Sequence, residues 1–205
     1  MGPHRSRDAG GRLRERGGLI RRARAVRVFE VSAALIVIEL ALSLSGRGTL
    51  PLPTGVSVSV LAIPAILGGI VGGPVAGALV GGAFGLTSYA LATTPLFHNA
   101  VIAIGPRLLI GAVAVLAYQA ARPIGRGAAL ALAGALGAIT NTGLILLLAT
   151  VLTGPIGAPY LSPAVAWDVA RTSIWYEVIV AAIVVTALGL IWNALQRRPA
   201  IQRKR

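Results

Sequence analysis

Hydrophobic residues make up 56% of the 205-residue chain and charged residues only 12%, a balance far from that of an ordinary soluble domain. The formal charge of +13 would suggest nucleic acid in a soluble protein, but here the basic residues gather at the chain ends without interleaved aromatics, so no nucleic-acid partner is expected and orientation in a bilayer explains them. There is no cysteine, and the single lysine is Lys204, which excludes thiolate chemistry, a Walker A phosphate loop and an internal Schiff base; no cofactor and no metal is expected.

Residues 1–27 form a Gly- and Arg-rich arm with nine arginines, expected to be a disordered cytoplasmic tail held near anionic headgroups. Val31–Leu44 has the length of a signal-peptide core, but the long basic segment before it and the lack of a small-x-small cleavage site favour a retained first helix. Helices are predicted near 28–45, 56–72, 74–93, 100–121, 128–152 and 171–195, which gives an all-α, polytopic membrane protein with one six-helix bundle over 28–195. Residues 196–205 form a basic tail. With the N-terminus inside, sixteen of the nineteen basic residues fall on cytoplasmic segments, so both termini are expected in the cytoplasm. Thr93–Asn99 and the proline-punctuated Thr153–Ala170 become outward connections.

Hydrophobicity is nearly unbroken from Val56 to Ala121. Within it Gly73, Gly77, Gly81 and Gly85 recur every four residues, on one face of a helix. In water such a stripe weakens a helix by about 1 kcal/mol per glycine. In lipid it lets two backbones approach closely, so a tight glycine-lined helix contact is predicted.

Glu39, Arg107, Asn141 and Glu177 fall inside or near predicted spans, where ionisable and polar groups mark functional sites. Tyr89, Phe97, His98, Trp167, Trp175 and Tyr176 are expected at similar heights towards the outer side. Two readings compete: an aromatic belt with Arg107 paired to a glutamate, or an outward-facing cavity for a small polar or anionic molecule. The aromatics alone favour the belt, whereas Arg107, Asn141 and Glu177 together favour the cavity.

Four segments carry a family resemblance: GGIVGGPVAGALVGGAFGL (68–86), TPLFHNAVIAIGPRLLIG (94–111), AITNTGLILLLATVL (138–152) and YEVIVAAIVVTAL (176–188). In this order on six predicted helices, the chain resembles the substrate-binding S component of energy-coupling factor (ECF) vitamin transporters over 28–195. The resemblance is closest to the group that includes pantothenate, folate and riboflavin carriers. It implies a plasma-membrane protein that captures a vitamin from outside with high affinity. It also implies a transmembrane coupling subunit and two cytosolic ATPases as partners, with ATP hydrolysis in those chains.

By position, Pro106-Arg107 matches the family's Pro-Arg at the start of the fourth helix, Asn141 its polar Thr-Asn-Thr in the fifth, and Glu177 the acidic residue opening the sixth. Arg107 is then expected to anchor a carboxylate or other acceptor and Asn141 to give directional hydrogen bonds. Trp175 or Tyr176 would supply a stacking surface, with Tyr89, Asn99 and the Gly46–Gly55 loop nearby. The family's first helix docks on the coupling subunit through Ala-x-x-x-Ala. Here Ala33 and Ala34 precede Val37 and Ile38, so the docking face is expected around Ala34, Ala41 and Ser45. Pantothenate is the favoured ligand, with folate, riboflavin and cobalamin as alternatives. The rival from another class is a scaffolding membrane protein without a ligand. It requires Arg107 and Glu177 to satisfy each other. A membrane enzyme lacks parts: His98 has no Ser/Asp or metal-ligand partners at suitable spacing.

Overall fold

The computed structural model describes residues 5–51 and 57–196. Its elements are α1 (Arg5–Leu44), β1 (Thr49–Pro51), β2 (Ser57–Ser59), α2 (Ala62–Gly72), α3 (Pro74–Ala90), α4 (Ala100–Ala121), α5 (Arg126–Val151) and α6 (Pro163–Gln196). One 3-10 turn, Pro95–His98, leads into α4.

α2 is the hub. It touches every other helix, while α3, α4, α5 and α6 pack pairwise in sequence order and α1 packs on α2 and α3. Its residues are apolar on all sides, as a surrounded helix requires, and Ala65 and Ile66 have no exposed surface. Around it the core is closed by Val80 and Phe84 of α3, Ile110 and Ala114 of α4, Leu130 and Ala133 of α5, and Val185 of α6. The outside is equally apolar: Leu109, Leu116, Leu147, Ile179, Ile183 and Ile191 are all more than half exposed. Such a surface is a liability in water and is normal against acyl chains. α4, α5 and α6 are long and apolar enough to cross a membrane. α2, with 11 residues, is about 16 Å long and cannot cross alone.

The glycine stripe makes the predicted contact. Along α3, Gly77 lies against Gly111 of α4, Gly81 against the Arg107 carbonyl and Gly85 against Ile104, an antiparallel ladder of backbone approaches. Gly69 of α2 joins the first rung, so three helices meet at three glycines. A Cβ on Gly77 would lie 2.6 Å from Gly111 Cα. Gly73 departs from this role. It sits between α2 and α3 with φ +93°, a left-handed conformation that favours glycine, and Pro74 at the first helical position restarts the chain.

Three boundaries differ from expectation. The basic arm, expected to be disordered, continues α1 as helix from Arg5. Its Arg, Leu, Ala and Glu residues are good helix formers and outweigh four glycines. The predicted second helix loses its first turns to the β1–β2 hairpin, in which Thr49 pairs with Ser59 and Pro51 with Ser57. α6 starts at Pro163, eight residues before the predicted position, because Ser162 caps it: its Oγ accepts from Val165 N at 3.3 Å. Within the expected binding loop Gly46–Gly55, residues 52–55 lie outside the described residues, as do 1–4 of the arm and 197–205 of the tail.

Candidate ligand-binding site

The Pro-Arg pair in α4 has a local logic. Pro106 lacks an N–H, so the Ile102 carbonyl one turn earlier loses its helical donor. Arg107 replaces it: Nη1 donates to the Ile102 carbonyl at 3.3 Å and also to that of Ala103. The side chain is thereby folded back along its own helix, 3% exposed. Its guanidinium carbon lies 4.5 Å from the centre of the Phe84 ring and 4.9 Å from that of Phe97, two cation–π contacts. Gly81, pressed on the Arg107 carbonyl, sets how near α3 brings Phe84.

Arg107 borders a cavity of about 390 Å³, within the range of small-molecule pockets. α3 gives Phe84 and Ser88 to its wall, the 3-10 turn Leu96 and Phe97, and α5 Asn141, Thr142, Ile145 and Leu146. α6 gives Val169 and Glu177, and the segments Ser59–Leu61 and Leu161 close one end. The lining is mostly apolar, with a guanidinium, an amide and a carboxylate among it. Asn141 is 4% exposed and its Oδ1 has no partner. Thr142 Oγ1 donates to Glu177 Oε2. Arg107 and Glu177 form no ion pair; among the described residues the one salt bridge is Arg171–Asp168, on the surface near the start of α6.

Of the residues singled out in the sequence, Arg107, Asn141 and Glu177 thus come together on one cavity, and Phe97 joins them. Four others do not. Trp175 is 65% exposed, and Tyr176 and Tyr89 are also exposed. Two residues along α6 is about 200° around the helix, so Glu177 facing in turns Trp175 out. Asn99 is the N-cap of α4: its Oδ1 accepts from Val101 N at 3.0 Å and Ile102 N at 3.4 Å, and its Nδ2 donates to Tyr160 Oη at 3.5 Å. The aromatic rings that do line the cavity are Phe84 and Phe97. Phe97→Ala is expected to lower ligand affinity about fivefold through loss of one cation–π contact, while Trp175→Ala leaves it unchanged in the same titration. Ala34, Ala41 and Ser45 are exposed along α1, and Ala34 borders an apolar groove with Ile38 and with Leu188 and Ile191 of α6.

Phe84, Ser88, Thr142, Val169 and Ser59 were not anticipated as lining residues. Val169 and Glu177 are two helical turns apart, a spacing that shares a face and that a start of α6 at Pro163 would have exposed.

An apolar-surfaced helical bundle with a sparsely polar cavity fits a membrane protein built to hold a small molecule. A family model for the substrate-specific component of ECF transporters matches residues 30–195, and the chain belongs to that family. It is a multi-pass protein of the plasma membrane. Substrate-specific components bind the transported molecule and work with a coupling subunit and ATPases, which hold the ATP-hydrolysing activity. No curated protein matches the chain.

Proposed function

We propose that this chain is the high-affinity vitamin-binding subunit of an ECF-type importer, with its six helices in one membrane bundle, both termini cytoplasmic and the cavity opening outward. The observation that carries the reading is the shared cavity of Arg107, Asn141 and Glu177, three intramembrane polar residues that do not satisfy one another. A ligand-free scaffold gains nothing from a guanidinium and a carboxylate that border one apolar cavity without pairing with each other. Arg107 holds an acceptor on the ligand, Asn141 and Glu177 meet its polar groups, and Phe84 and Phe97 cover its flat or apolar parts. Pantothenate suits this arrangement best, with an acid for Arg107 and hydroxyl and amide groups for the opposite wall. A cavity of about 390 Å³ is too small for cobalamin, and the cation at Arg107 favours a small acid such as pantothenate. The exposed stripe through Ala34, Ala41 and Ser45 supports docking of a coupling subunit on α1.

Ligand binding is tested by the melting temperature of the purified protein against a vitamin panel. Pantothenate at a hundredfold excess over its Kd is expected to add about 2.7 kcal/mol of stability, a clear upward shift. A shift from another vitamin would replace the ligand, and no shift from any member would favour the scaffold. Mass spectrometry of small molecules released on denaturation gives the independent check.

A further inference from the structure

Glu39 of α1 has no exposed surface and does not border the cavity. Its Oε1 accepts from Ser43 Oγ at 2.6 Å. Thr87 Oγ1 of α3 lies 3.0 Å from the same oxygen and 2.9 Å from the Phe84 carbonyl, one hydroxyl hydrogen serving either. Glu39 Oε2 is buried with no partner. One turn back along α3, the Phe84 ring lies on the Arg107 guanidinium, whose Nε is likewise buried with no partner. Two opposite charges, each with one unsatisfied buried atom, thus sit on either side of a single turn of α3. The two side chains do not touch, and the turn of α3 that carries Phe84 and Thr87 lies between them, whereas Glu177 is engaged with Thr142 on the far wall. An isolated buried charge costs several kcal/mol, so each group is tolerable chiefly because of the other.

We propose that Glu39 is the built-in counter-ion of Arg107: a positioning residue that keeps the guanidinium in place and limits how tightly the site holds an anion. A carrier that must later release its ligand needs such a limit. It also means that the charge of the site is set by α1, a helix that contributes nothing to the cavity wall.

The charge coupling is tested without any ligand by a double-mutant cycle of thermal unfolding in lipid nanodiscs: wild type, E39Q, R107Q and E39Q/R107Q. Glutamine still accepts from Ser43 and Thr87, so charge is the variable. Each single change is expected to lower Tm, and the double variant to melt no lower than the weaker single one. Additive losses would overturn the proposal. A second arm, which rests on the function proposed above, compares pantothenate with panthenol, its uncharged alcohol. E39Q should bind pantothenate roughly tenfold tighter, with panthenol unchanged, and E39D should keep the wild-type ratio. An equal change for both compounds would reduce Glu39 to a structural role. If neither compound binds the wild type, the ligand assignment fails and the unfolding cycle alone decides on the counter-ion.

Discussion

Arg107→Ala is expected to weaken binding of an anionic ligand by at least about 30-fold, since truncating one partner of a buried charged contact costs about 2–5 kcal/mol. The effect is large because nothing near Arg107 replaces it. Its Nη1 is already committed to the Ile102 and Ala103 carbonyls, so the helix loses its repair of the Pro106 gap as well as its cationic anchor. The substitution also leaves Glu39 buried without an opposite charge, and some loss of stability accompanies the loss of affinity. Titration of the purified variant by calorimetry measures the affinity. Adding E39Q to Arg107→Ala relieves the stranded charge and should restore melting temperature without restoring affinity. Unchanged affinity in Arg107→Ala would remove the residue from the site.

The second large effect is steric. Gly111→Val is expected to cost about 3 kcal/mol or more and to leave little monodisperse protein. Any side chain at that position meets Gly77 of α3 and the Ala65 carbonyl of α2, and neither backbone has room to retreat. Gly143, in the interior of α5, has room where a Cβ would go, the nearest atom being Ile139 Cγ2 at 4.0 Å. Gly143→Ala should therefore be neutral or stabilising by up to about 1 kcal/mol, through the better helix propensity of alanine. Size-exclusion profiles and melting curves of the two variants side by side separate a packing effect from a general intolerance of the bundle to glycine replacement.

Much of this was legible in the sequence because it depends on periodicity and on polarity in lipid. A four-residue glycine repeat has one physical use in an apolar helix, and the α3–α4 ladder is that use. Arg107, Asn141 and Glu177 stood out because hydrocarbon tolerates such groups only with reason. Helix rotation was not legible. Trp175, Tyr176 and Glu177 are consecutive, and nothing local says which of them faces in. Asn99 lies off the cavity for a different cause: it caps α4, and an asparagine before an apolar run signals a cap as readily as a ligand contact. The hairpin escaped because β1 lies in a segment that reads as a loop and β2 at the start of an apolar stretch that reads equally well as helix. Ser59 and the start of the central helix were displaced with it.

The two sides of the cavity differ in how readily they can change. Arg107 is held at its height by glycine-to-backbone contacts, and a contact already at minimum volume admits substitution in only one direction, towards clash. The opposite side, through Asn141, Ile145, Leu146, Val169 and Glu177, is made of side chains that exchange for larger, smaller or more polar ones without moving a helix. Divergence towards a new ligand therefore has a rigid jaw and an adjustable one. Relatives that recognise other molecules should keep the arginine's setting and vary α5 and α6, and a library confined to those two helices is the economical route to a carrier of altered specificity.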